Sequence, residues 1–211
     1  MNIPVNPPKV ESPHLPLEFS VKQESIKITG FWMFLVSDML IFASLFSVFA
    51  VYRSHIVFGP TPNQIFHYAP TLLETLLLLT SSFTVGMAIY AMRNDRQKAM
   101  MTWLVVTLMM GAAFVTTEIH EFVGDMSHGI TWHVSSFLSG FFILVGTHGA
   151  HVSFGIVWAV TLLFQLSRRG LTPVTTRKLY TFSLYWHFLD IVWVFIFTFV
   201  YLYPIMNRKG S

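Results

Sequence analysis

The chain has 211 residues, of which 54% are hydrophobic, 16% aromatic and 11% charged, with a mean hydropathy of +0.59. An ordinary soluble domain carries about 25% charged residues, so this balance excludes one and leaves no length for a soluble domain beside the apolar runs. A net charge of +3 is too small for a nucleic-acid footprint, and the absence of cysteine removes disulfides, thiolate metal sites and cysteine nucleophiles.

Residues 1–29 hold five prolines by Pro16 and mix Lys9, Lys22 and Lys27 with Glu11, Glu18 and Glu24. The segment has no apolar core, so it does not read as a signal peptide. An extended or disordered cytoplasmic tail is expected, with a strap along a partner subunit as the alternative. A transmembrane domain over 30–206 follows, then a short tail at 207–211. Its five apolar runs lie at about 30–52, 70–92, 100–122, 136–166 and 178–203. Each has about 20 residues or more, enough to cross the ~30 Å hydrocarbon layer with some tilt. The fourth is long enough to project into the interface. The expected fold class is therefore an all-α polytopic membrane protein with five transmembrane helices. No fixed-period repeat is visible and the span number is odd, which weakens an inverted-repeat transporter.

Lysine and arginine set the orientation. The connection after span two holds Arg93, Arg96 and Lys98, and that after span four holds Arg168, Arg169, Arg177 and Lys178. With the three lysines of the first segment these fall on one side, against Arg53, Arg208 and Lys209 on the other. The expectation is an N-terminus inside and a C-terminus outside. Asp38 then lies roughly 12 Å in from the inner end of span one at about 1.5 Å per residue. Glu74, Glu118, His120 and Glu121 fall near the outer end, and His148, His151, His187 and Asp190 near the midplane.

His148 and His151 stand three apart, as do His187 and Asp190, so each pair shares a helical face. A charged group at a bilayer centre costs about 2.5–3.5 kcal/mol on insertion scales, so these groups should face other helices, a lipid or a partner. Three readings follow from the spacing. The simplest is interhelical hydrogen bonding, each imidazole donating to a carbonyl, hydroxyl or carboxylate. A proton- or lipid-linked role is the second, and a metal or haem site the third. A bundle di-metal site wants Glu-x-x-His pairs, and neither Glu74 nor Glu118 is followed by His at that offset. Gly146, Gly149, Ala150, Ser153 and Gly155 make span four small-faced, open to close approach by a helix or acyl chain. Glu118 and Glu121 share a face with His120 turned away, which suits solvated helix ends. Asp38 has no basic residue in its own span and needs a partner from another helix, a midplane histidine being the natural one.

Five stretches, one per span, carry a resemblance: GFWMFLVSDMLIF, ETLLLLTSSFTVGMAIYAM, GAAFVTTEIHEF, GFFILVGTHGAHVSFG and SLYWHFLDIVWVFIFTFVYL, with RRGLTP before the last. From Gly30 to Tyr203 the chain resembles the short, five-helix form of haem–copper oxidase subunit III, and within that family it is most similar to the quinol oxidases of the cytochrome o ubiquinol oxidase type. The resemblance implies a non-catalytic subunit of a proton-pumping respiratory terminal oxidase in a bacterial cell membrane. No cofactor and no metal are expected in this chain. Haems and copper belong to subunit I, the direct partner, with subunits II and IV and membrane phospholipid as further partners and no nucleic acid. The family's buried, carbodiimide-reactive carboxyl is Glu in many members and is matched here by Asp38, one methylene shorter, which implies a role in proton uptake or the lipid cleft. The residues matching Glu74, Glu118, Glu121, His148, His151, His187 and Asp190 are structural or line the lipid cleft, which lowers the metal reading. Arg93, Arg96, Arg168 and Arg169, near the inner interface, are candidate lipid-phosphate contacts. Subunit III of a cytochrome c oxidase is the near alternative, and an independent membrane transporter or carrier the distant one.

Overall fold

The computed structural model describes residues 22–54, 68–127 and 136–202, all of them in helices or the short turns between them. Helix α1 is Lys22–Ser54, α2 Tyr68–Arg93, α3 Gln97–Ser127, α4 Ser136–Arg169 and α5 Pro173–Ile196, the last prolonged by a π-helical turn at Phe197–Leu202. Each of the five is long and apolar enough to cross a membrane. The five-helix architecture is thus the one the hydropathy predicts. The helix ends differ from it. Residues 22–29, expected in the extended tail, form the first turns of α1, because KQESIKIT holds strong helix formers and no proline after Pro16. The remainder of the expected tail, 1–21, and the C-terminal segment from 203 onward lie outside the described residues.

Helix α5 starts at Pro173, earlier than expected, because its N-terminus is capped. Thr172 in an extended conformation accepts a bond from the Thr175 amide at 3.2 Å, and the Thr175 hydroxyl accepts one from the Thr172 amide at 2.8 Å. This is a capping box with Thr in the third position and Pro at the start of the helix, where its missing N–H costs nothing. Just before it, α4 ends at Gly170, whose φ of 64° lets its amide turn back to the Leu166 carbonyl at 2.9 Å. The Gln97 side chain donates to the same carbonyl at 3.1 Å, which ties the α2–α3 turn to the end of α4.

Half of the α5 span is buried, and the other helices gather around it. Its indoles do the joining. The Trp186 ring donates to Ser81 Oγ of α2 at 2.9 Å, while a methyl at Gly111 of α3 or Gly155 of α4 would stand 2.8 or 2.9 Å from its ring carbons. Trp186 therefore fills the space where three helices converge, and two glycines admit it. Trp193 donates to Thr75 Oγ1 at 3.1 Å, and Thr84 and Thr107 link α2 to α3 at 2.7 Å. With no hydrophobic force between helices in lipid, close packing and such bonds hold the bundle.

Helix α1 sits at the periphery. Ile28, Leu35, Phe42 and Phe49 recur every seven residues and are buried, with Asp38 between them. This single seam lies on α4 and α5, through Phe31 on Trp158, Phe49 on Phe137 and Phe42 on Phe188. On the side of α1 away from the seam, Met33, Val36, Met39, Leu40 and Ile41 are exposed. Aromatic contacts also mark one end of the bundle, where Phe122 meets Phe142 and Phe141 meets Tyr201.

Candidate functional site

The seam of α1 carries a buried carboxyl, Asp38. Asp38 stands between Leu35 and Phe42 on the buried stripe, so the helix aims it at α4. There His151 Nε2 lies 3.2 Å from Asp38 Oδ1, and the other ring nitrogen lies 2.7 Å from the Thr147 carbonyl one turn back. The Tyr185 hydroxyl of α5 donates to the His151 carbonyl at 3.0 Å. The three helices are joined through this one histidine. The second carboxylate oxygen, Asp38 Oδ2, is buried and meets no donor among the described residues.

His148, one turn before His151, behaves differently from the hydrogen-bonded imidazole that spacing suggests. It is fully buried, and neither ring nitrogen meets a partner among the described residues. Its surroundings are aromatic. Phe114 stands edge-on at 5.9 Å and 90°, Trp193 at 5.2 Å, and Phe42 at 6.3 Å. The face of α4 that carries His148 turns into the aromatic core of α3 and α5, so the ring is held by packing.

Glu74, Glu118 and Glu121 come together between α2 and α3, close enough to act on one another electrostatically. Glu74 and Glu118 are buried, not solvated helix ends, whereas His120 is exposed as its position around the helix requires. The Glu118 carboxyl rests against the bare backbone of Gly149, where a methyl would stand 2.7 Å from its Cδ. One oxygen each of Glu74 and Glu118 meets no donor among the described residues.

The pair His187 and Asp190 opens on a fourth feature, a cavity of about 370 Å³ lined by Leu79, Ser82, His187, Asp190, Ile191, Val194 and Phe195. Ser82 and His187 Nδ1 are 2.6 Å apart. Sequence reasoning missed Ser82 along with Thr75, Ser81 and Thr84. Their signal was present, as a stripe of hydroxyls in an otherwise apolar span.

Arg93, Arg96, Arg168 and Arg169 are all exposed and lie at the same end of the bundle, where Gln97 bridges α3 to α4. Arg168 also covers the Phe164 ring at 5.0 Å. Among the described residues no group of three His, Asp or Glu side chains is arranged to hold a metal ion.

The family model described as cytochrome c oxidase subunit III matches residues 17–205. A Bacillus subtilis protein named quinol oxidase subunit 3 is 46% identical over 187 residues, 89% of this chain and 92% of its own length, and its Bacillus spizizenii counterpart matches equally. A Staphylococcus aureus protein named probable quinol oxidase subunit 3 is 47% identical over 174 residues, 82% of this chain and 87% of its own length.

Proposed function

Since the chain belongs to the cytochrome c oxidase subunit III family, we propose that it is subunit III of a haem–copper quinol oxidase in a bacterial cell membrane, a subunit that supports catalysis without carrying it out. The observation that carries this reading is the 46% identity, over nearly the whole length of both chains, to proteins named quinol oxidase subunit 3. The geometry agrees with a supporting role. Asp38 is held by His151, Glu118 is wedged on Gly149, and His148 is enclosed by aromatic rings. The haems and copper belong to the partner subunit I, whose flank the exposed apolar face of α1 or α4 suits, with subunits II and IV completing the complex. Asp38 serves proton uptake or the lipid cleft. Glu74, Glu118, Glu121, His148 and His151 keep the helices in register, and the four exposed arginines hold phospholipid head groups.

The test is to purify the tagged chain from native membranes in mild detergent and record the spectrum and oxygen consumption of what accompanies it. A haem-bearing large subunit and quinol-driven oxygen uptake are expected. A chain that runs alone, with a haem of its own or a transport activity, would overturn the reading. Because the matching family model is described by its cytochrome c members, reduced cytochrome c is offered as donor in the same assay, and no oxidation of it is expected.

A further inference from the structure

The cavity beside Ser82 and Asp190, whose lining residues His187 and Asp190 the family resemblance assigns to structure or the lipid cleft, has no part in the function proposed above. It opens sideways from the bundle. Its rim residues Leu79, Ile191, Val194 and Phe195 are exposed and wholly apolar, as befits a surface against hydrocarbon, whereas its floor is Ser82, His187 and Asp190. Asp190 lies 17 residues from the start and 12 from the end of the span Pro173–Leu202, about 26 and 18 Å at 1.5 Å per residue. The polar floor is thus near mid-bilayer. Asp190 is only 5% exposed, and neither carboxyl oxygen has a hydrogen-bond partner at good geometry among the described residues; the nearest donor is the Ser82 hydroxyl, which also contacts His187 Nδ1 at 2.6 Å. A buried carboxyl with a single hydroxyl beside it keeps acceptor capacity that a donor from outside the chain can fill.

The occupant must bring hydrogen-bond donors to the middle of the membrane. A phospholipid cannot, because its head group is anchored at the interface. A lipid-soluble molecule with a small hydroxylated ring can. The rim offers one aromatic ring, Phe195, which packs on Phe199 and Phe46 outside the cavity lining. An apolar cavity in the 300–1,000 Å³ range with a few convergent polar groups is the usual form of a small-ligand site. We propose that this cavity binds the ring of an isoprenoid quinol from the lipid phase, its hydroxyl donating to Asp190 and the Ser82–His187 pair flanking it. The identity of the ring as a quinol rests on the quinol oxidase reading above. Such a site on subunit III would hold quinol beside the complex, apart from the place where it is oxidised.

The experiment uses native membranes containing the whole complex and a photoactivatable azidoquinol, with the label mapped by mass spectrometry. Label on 79–82 or 187–195 is expected, displaced by excess unlabelled quinol. Leu79→Trp, at an exposed rim position, should close the mouth and reduce the label at least tenfold while labelling of the other subunits stays unchanged. Asp190→Asn replaces an acceptor with a donor, so it should shift the preference from quinol toward the oxidised quinone, whose carbonyls accept. No label on these stretches, label undiminished by Leu79→Trp, or an unchanged quinol-to-quinone preference in Asp190→Asn would overturn the proposal. So would equal labelling by a photoactivatable phospholipid that quinol does not displace, which marks an acyl-chain groove, or a partner helix found filling the cavity. Failure of the oxidase reading shows separately, as a chain without a haem-bearing companion.

Discussion

Asp38 and His151 meet because each occupies the inward face of its helix at the same depth, and the bond between them joins the peripheral α1 to the bundle. Residues in direct contact show non-additive substitution energies, commonly about 0.5–3 kcal/mol. A double-mutant cycle with Asp38→Asn and His151→Gln, read by the thermal midpoint of the purified complex, should therefore give a coupling within that range. Additivity to within about 0.3–0.5 kcal/mol would remove the pair as a structural link. Asp38→Asn alone should leave assembly intact and lower sustained turnover over many cycles, and unchanged turnover and pumping would exclude the proton-uptake role. The need of Asp38 for a partner from another helix was legible in the sequence, since its own span has no basic group. The aromatic enclosure of His148 was not. Spacing places two histidines on one face, but one turn of helix separates a carboxyl neighbour from an aromatic one, and only the packed bundle distinguishes them.

At the scale of helices, hydropathy alone gives five spans, because hydrocarbon requires every backbone group to bond within its own helix. It gives their ends less well. The first helix starts eight residues before Gly30, and the last starts at a Thr–Pro cap that an apolar window does not sense. The π-helical turn at Phe197–Leu202 has no hydropathy signature at all. The glycines show the same limit, since composition marks α4 as small-faced without saying which partner each glycine admits. A methyl at Gly155 would press on the rigid rings of Trp186 and Tyr185, whereas one at Gly86 in α2 would meet nothing within 4 Å. Gly155→Ala should thus destabilise the complex by about 1–3 kcal/mol through overpacking. Gly86→Ala should stabilise it by about 0.5–1 kcal/mol, since glycine in a helix interior costs that much relative to alanine. Thermal midpoints that moved the same way for both would contradict the close approach of Trp186 to α4.

For the whole molecule, charge and packing are segregated by end. Arg93, Arg96, Arg168 and Arg169 are exposed at one end, while Phe122, Phe142, Phe141 and Tyr201 meet at the other. A juxtamembrane basic residue contributes about 1 kcal/mol of attraction to an anionic leaflet. Changing all four arginines to Gln should therefore reduce the anionic phospholipid retained by the purified complex, as counted by mass spectrometry, several-fold. Retention equal to the native complex would remove them as head-group contacts.

The same asymmetry fixes how the molecule sits in its membrane, if the bias of Lys and Arg toward the cytoplasm holds for it. The structure places the α2–α3 turn and the α4–α5 turn together through Gln97 and Leu166, so their basic residues act as one patch and cannot be divided between the two sides. Orientation is thereby reduced to one binary question, and the chain is suited to answering it because it has no cysteine of its own. Asn94→Cys reports on the basic end and Ser127→Cys on the opposite one, both at exposed helix termini. With the basic end inside, a membrane-impermeant maleimide added to intact cells should label Ser127→Cys and spare Asn94→Cys until the membrane is opened. The reverse pattern would place the N-terminus outside and move the four arginines to the outer leaflet. It would also carry Glu74 and Glu118 from the outer half of the bilayer to the inner half, and leave the mid-bilayer cavity at Asp190 where it is.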